Sequence, residues 1–229
     1  MFIAIFFVYL EHIFQDYTIM KALSSFFAAL GIAALCSCGQ TPTADEPTNE
    51  NTNQVIETIM ARRSIRNYQD RPVNRDTMNL ILQCGVNAPN GQNKQSWQVR
   101  VVDNPDFLNG LTEIFKKENP KAAEDPEFKN MFRNAPTVVF IAYDTTYDVS
   151  QVDCGLLGEN MILAAQSMGI GSCCLAGPVR FMNSPAAAEY LQRLDFPDTH
   201  KLLYAIAMGY PNEKPDAKPR DMNKVKFIE

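Results

Sequence analysis

One stretch, Pro136-Thr137-Val138-Val139-Phe140-Ile141-Ala142-Tyr143, limits the fold more than any other part of the chain. It is apolar almost without interruption and rich in β-branched and aromatic residues. A strand with one wet face alternates polar and apolar residues, whereas a strand covered on both faces does not. The stretch therefore predicts a central, doubly covered strand. Lys201-Leu202-Leu203-Tyr204-Ala205-Ile206-Ala207-Met208-Gly209 predicts a second buried strand, and residues 97–102 and 172–176 predict two more. Helical periodicity fills the intervals. Val55, Ile56, Ile59 and Met60 share one face. A helix capped at Asn74 or Asp76 carries Met78, Ile81, Leu82 and Val86. Asn104-Pro105 opens another through Leu108, Leu111, Ile114 and Phe115. Residues 154–169 predict a long helix, apolar over much of its girth, and residues 186–193 a shorter one. The charged stretch 116–130 predicts a surface lobe or lid, and Val225-Lys226-Phe227-Ile228 a terminal strand. Four or five strands among this many helices predict an α+β or α/β fold rather than an all-β one.

The chain has 229 residues and a formal net charge of -5, which disfavours a nucleic-acid partner. Histidine occurs only as His12 and His200, so a histidine-built zinc site or a Ser-His-Asp triad is hard to assemble. Cys36, Cys38, Cys84, Cys154, Cys173 and Cys174 show no metal-binding spacing, and no metal is expected.

The first fifty or so residues do not read as part of the domain. Residues 24–35 form a short apolar run after Met20-Lys21, too short to span a bilayer comfortably, as in a signal peptide. It ends in Leu35-Cys36-Ser37-Cys38-Gly39, similar to a bacterial lipoprotein processing box. Three segments follow as expectations. Residues 1–38 are a signal segment with its true start at Met20. Residues 39–53 are a disordered tether, and residues 54–229 are the domain. The expected address is the outer side of a bacterial membrane, with a lipid anchor on Cys38; a cytoplasmic protein is the alternative.

Two islands look chemical. Arg62-Arg63-Ser64-Ile65-Arg66 places three guanidiniums and a hydroxyl at a helix end, and an arginine fork suits a phosphate. A basic patch at a helix C-terminus, favoured by the helix dipole, is the plain alternative. Ala88-Pro89-Asn90-Gly91-Gln92-Asn93-Lys94-Gln95-Ser96-Trp97 is rich in amides that can donate to and accept from a polar ring. A turn explains Asn90 and Gly91 well but Gln95 poorly. Neither island is a dinucleotide fingerprint or a P-loop.

Together with Asp153-Cys154-Gly155 leading to Gly169-Ile170-Gly171, and Ala207-Met208-Gly209-Tyr210-Pro211 followed by Lys218-Pro219-Arg220, the chain resembles the nitroreductase family of FMN-dependent NAD(P)H oxidoreductases. The resemblance covers about residues 54–229. It implies an α+β fold with a central, mainly antiparallel mixed sheet flanked by helices, in a domain-swapped homodimer. It implies FMN as cofactor, with Arg62 and Ser64 at its phosphate and ribityl chain, Arg66 toward the ribityl or pyrimidine edge, and Arg63 at a variable position beside them. Pro89, Asn90 and Gly91 match a loop that reaches the flavin from the other subunit. Asn93 and Gln95 match amides near the flavin, Leu175, Ala176 and Gly177 a segment along its ring, and Lys218 and Arg220 a basic pair that closes on the phosphate. The implied reaction passes a hydride from NAD(P)H through flavin N5 to a nitroaromatic, quinone or similar acceptor. The cofactor carries the chemistry, with no catalytic side chain of its own. Ser96 stands where the family has proline, which predicts a looser loop. A non-enzymatic, anchored flavin or ligand-binding module is the rival reading, and specialised flavin chemistry on the same fold is another.

Overall fold

The computed structural model describes residues 53–229. The elements are α1 (Gln54–Ala61), α2 (Arg75–Val86), a 3-10 turn (Gly91–Asn93), β1 (Trp97–Val102), α3 (Pro105–Glu118), α4 (Pro120–Glu124), β2 (Thr137–Asp144), α5 (Ser150–Ser167), β3 (Gly171–Leu175), α6 (Gly177–Met182), α7 (Ala188–Arg193) and β4 (His200–Gly209). The strands make one sheet in the order β1-β2-β4-β3, with every neighbouring pair antiparallel. The one parallel contact is an isolated bridge from Ser64 to Ser172. The fold is α+β, as expected.

The apolar run around Phe140 behaves as its pattern predicts. Side chains alternate across a strand. Val138 and Phe140 enter a core built with Phe107, Leu111, Phe132 and Met182. Val139 and Ile141 enter a second core with Met78, Ile81, Leu157 and Met161. Each face of β2 has its own core, so the strand has no polar side. Three asparagines start helices by accepting backbone N–H groups: Asn53 from Val55, Asn74 from Thr77 and Asn104 from Phe107. Asn74, rather than Asp76, is thus the cap of α2. The packing of α2 on α5 depends on Gly85, where an added Cβ would come 2.5 Å from Met161 Cγ.

Three expectations are corrected. The long helix begins at Ser150, four residues before Cys154, which brings two further polar side chains, Ser150 and Asp153, into its buried face. The apolar face of α1 is not in the core: Val55, Ile56, Ile59 and Met60 are all exposed. Residues 225–228 form no strand, because neither sheet edge of the same chain pairs with them, and Phe227 and Ile228 stand free. Among the described residues, Cys84, Cys154, Cys173 and Cys174 are unbridged.

The expectation of a membrane-anchored, extracytoplasmic lipoprotein is also withdrawn. Among the described residues no helix is long and apolar enough to cross a membrane. A span needs about 20 predominantly apolar residues, and the longest described helix, α5, has 18 and carries Asp153 and Glu159. The start at Met20, the processing box at Cys38 and most of the tether lie outside the described residues.

Candidate functional site

The first motif lies along the outer edge of the sheet. Arg62 ends α1 as its C-cap, with its N–H bonded to Thr58 O. The chain then runs beside β3, where Ser64 bridges Ser172 and Ile65 N donates to Ser172 O at 2.9 Å. Gly171 makes this approach possible, since a Cβ there would lie 2.9 Å from Ile65 Cγ1. The structure thus joins the arginine motif to the strand that leads into Leu175, Ala176 and Gly177.

The three arginines differ. Arg62 Nη2 is 3.9 Å from Glu159 Oε1, and Arg62 Nε is buried with no hydrogen-bond partner among the described residues. A buried donor left unpaired is costly and calls for an explanation. The Arg63 fork is engaged on the main chain, with Nη1 donating to Met60 O and Arg62 O at 2.7 Å each. Arg66 Nη1 donates to Ser64 O at 3.1 Å, and its backbone N–H donates to the Glu213 carboxylate.

Arg66 also lines a cavity of about 670 Å³. One wall is Cys173, Cys174, Leu175, Ala176, Gly177 and Pro178. The other comes from Phe115 in α3, from Asp125, Glu127, Phe128 and Asn130 in the expected lobe or lid, and from Met131, Arg133 and Asn134 just after it. At Gly177 an added Cβ would meet nothing within 4 Å, so the backbone there faces open space. Burial pushes the Cys173 thiol above its ordinary pKa, and the nearby Arg66 and Arg133 charges oppose that shift.

The amide loop is held from below by a residue to which the sequence reading gave no role. Asp153, 3% exposed in the first turn of α5, accepts Gly91 N–H at 3.0 Å through Oδ1 and the Ser96 hydroxyl at 2.8 Å through Oδ2. One turn earlier Ser150 donates its hydroxyl to Ser96 O at 2.6 Å. Gln95 N donates to Asn90 Oδ1 at 2.9 Å, so the Asn90 carbonyl is already used inside the loop. Gln92, Asn93 and Gln95 have φ of 55°, 54° and 49°. At Gly91 an added Cβ would lie 2.1 Å from the Tyr147 hydroxyl, so a larger residue there would displace that side chain. Ser96 does not loosen this loop; its hydroxyl and carbonyl tie it to α5. The sequence clues were its place at the head of the Asp153-Cys154-Gly155 motif and its position just before the expected long apolar helix.

Within one subunit these parts do not all converge. None of Pro89, Asn90, Gly91, Asn93 or Gln95 lines the cavity. Lys218 and Arg220 lie on the exposed arm after Tyr210, where Arg220 contacts only the carbonyls of Lys218 and Pro219, at 3.4 Å each.

Residues 59–210 match the Nitroreductase family. The chain belongs to that family. A nitroreductase with bound FMN from Bacteroides fragilis is 30% identical, with a TM-score of 0.69 over 78% of this chain and 100% of that one. An FMN-dependent nitroreductase from Clostridium difficile is 27% identical, with a TM-score of 0.64 over 77% and 99% of the two chains. An NADPH-flavin oxidoreductase of Vibrio harveyi is 29% identical over 73% of this chain and 70% of its own length. The described residues fit FMN in two places: the cavity lined by Arg66 and Leu175 to Gly177 leaves room for a flat ring, and outside its lining Arg62 has a buried Nε without a partner among the described residues.

Proposed function

We propose that this nitroreductase-family oxidoreductase binds one FMN per subunit and uses it to carry a hydride from NAD(P)H to a nitroaromatic, quinone or similar acceptor. The buried Nε of Arg62, without a partner among the described residues, is the observation that carries the reading, because a bound anion beside the β3 edge would give that donor a partner. Arg62 and Ser64 would hold the phosphate and ribityl chain, with Arg63 serving the helix end beside them. Arg66 would face the ring, stabilising negative charge at its pyrimidine edge. Leu175, Ala176 and Gly177 would lie along the ring. The bound FMN supplies the hydride-accepting atom; the protein orients it, excludes water and leaves one face free for donor and acceptor in turn.

The second half of the site is proposed to come from a twofold partner. The 89–96 loop lies outside the cavity of its own chain, and Lys218 and Arg220 sit on the exposed arm beyond Glu213, the residue that accepts the Arg66 N–H. A homodimer would bring Pro89, Asn90, Gly91, Asn93, Gln95, Lys218 and Arg220 to the flavin of the other copy. Residues 54–229 are the unit assigned to this work.

Purified protein should be yellow. Chromatography of the flavin released on denaturation should show FMN, and NADH or NADPH should bleach the flavin absorbance without oxygen. Release of FAD, or no flavin after reconstitution, would overturn the cofactor assignment. A flavin that neither nucleotide bleaches would remove NAD(P)H as the donor.

A further inference from the structure

The cavity holds a cation that the proposed cofactor site does not use. Arg133 has a left-handed backbone, φ 61°, followed by Asn134 at φ 60°. Such a conformation is unfavourable for a long side chain and persists only where its surroundings over-determine it. Here they do. Asn134 Oδ1 accepts Lys129 N–H at 2.9 Å and Asn130 N–H at 2.8 Å, and its Nδ2 donates to Glu127 O at 2.9 Å. The turn just after the expected lobe or lid is therefore tied in place through Asn134, which sets the backbone at the exposed Arg133.

Arg133 and Arg66 reach the same place. Both guanidiniums act on the buried Cys173 thiol and Tyr68 phenol, lowering pKa values that burial raises. Neither guanidinium belongs to an ion pair among the described residues. Of the two acids on the wall, Asp125 spends Oδ1 on the Glu127 N–H at 2.9 Å. Phe115 and Phe128 stack beside them, with ring centroids 5.8 Å apart and planes 22° from parallel. The combination is a flat apolar wall beside two guanidiniums that no ion pair among the described residues engages, with the Asp125 and Glu127 carboxylates on the same wall.

We propose that Arg133 forms an anion subsite in this cavity, beside the Arg66 assigned to the flavin, so that the site prefers a planar substrate carrying a carboxylate, sulfonate or phosphate. The inference rests on the FMN-oxidoreductase reading and goes one step further, to substrate class. The anion has two sources: an acidic group on the acceptor or a phosphate of the nicotinamide donor. An arginine fork recognises either by charge-assisted hydrogen bonds.

The test uses the FMN-loaded protein and its Arg133→Ala and Arg133→Lys variants. With NADH as donor, Arg133→Ala should raise KM for para-nitrobenzoate about 10-fold, with little change in kcat and little change for the neutral para-nitrobenzyl alcohol. Arg133→Lys should fall between the two. The dissociation constant of benzoate, read from its effect on the flavin absorbance without turnover, should rise in parallel. If instead KM rises for NADH but not for the phosphate-free N-benzyl dihydronicotinamide, the subsite stands and its anion is the donor's phosphate. A yellow Arg133→Ala protein unchanged in all these measurements overturns the subsite while leaving the FMN reading intact. A wild-type protein that takes up no flavin overturns both.

Discussion

Single residues divide into those whose role shows in their type and those whose role shows only in their surroundings. Arg62 belongs to both groups: its motif was legible, and its buried unpaired Nε is a structural fact. Replacing it with alanine should weaken FMN binding roughly 10- to 1000-fold, from loss of about 1.5–3 kcal/mol of charge-assisted hydrogen bonding and more where the phosphate is left poorly paired. Arg220→Ala should weaken it less. Fluorescence titration of apoprotein measures both, and unchanged binding in each variant would place the phosphate elsewhere. The resemblance set Arg63 apart from Arg62 as a variable position, and the helix geometry gives the reason, its fork held by Met60 O and Arg62 O. Arg133 was not legible, because left-handed backbone at an arginine follows from the Asn134 hydrogen bonds and not from local propensity. Buried ionisable groups give a further prediction. Burial pushes the Cys154 thiol up to about 12 from an ordinary 9.0, and burial also raises the phenols of Tyr68 and Tyr204. The unfolded chain releases these protons at lower pH than the folded one. Their contribution to stability is complete below pH 9 and shrinks as pH rises from 9 toward 12. Urea unfolding should show a lower midpoint at pH 10 than at pH 7.5. A midpoint that is equal or higher would mean that other groups dominate the alkaline range.

At the scale of elements, most of the fold was legible and its seams were not. The strand around Phe140 and the strand from Trp97 to Val102 follow from apolar pattern and β-branched content, and the asparagine caps follow from side-chain chemistry. The start of α5 was misplaced because its first turn is polar. Ser150 and Asp153 look like loop residues, but they bond inward to the 89–96 loop. That loop shows how two elements share a task. An unpartnered serine in place of proline leaves a backbone freer to move, yet the Asp153 carboxylate and Ser150 hydroxyl hold Ser96 from both sides. Asp153→Ala leaves Gly91 N–H and the Ser96 hydroxyl unsatisfied. It should cost about 1–3 kcal/mol of stability for each group that stays buried and speed hydrogen exchange at the amides of Gly91 and Gln95. Ser96→Ala should cost less, since it removes one bond and leaves the Gly91 contact in place. Exchange rates in Asp153→Ala equal to those of the native protein would show that the loop is held by other contacts.

For the molecule as a whole, the apolar surface argues for a partner. α1 exposes Val55 (65%), Ile56 (59%), Ile59 (47%) and Met60 (70%), and α5 exposes Val152 and Leu156. The arm ends in Phe227 and Ile228, more than 90% exposed. Soluble monomers rarely leave so many large apolar side chains open unless the surface binds something. β1 is an edge strand with half-buried residues along its whole length, and beside it Leu82, Val86, Trp97, Val99, Leu157 and Met161 line an apolar cavity of about 300 Å³. An arm from a second copy, laid along this edge, would cover its free backbone groups and seat an aromatic side chain in the cavity. The sequence held both ingredients, a helix apolar all round and an arm with strand character, but a partner surface and a core surface look alike in apolar pattern. The described chain separates them, because residues 51–229 form one compact unit that leaves the surface open. A fragment covering that unit should be a dimer at micromolar concentration by light scattering, with an interface of at least standard size, about 1,200–2,000 Å². Deleting residues 212–229 removes Lys218, Arg220, Phe227 and Ile228 together. The shortened protein should dissociate more readily and lose most of its FMN affinity, because half of each proposed site belongs to the other subunit. A stable monomer that retains FMN would refute the shared site, and a dimer unaffected by the deletion would show that the helices, not the arm, hold the two copies together.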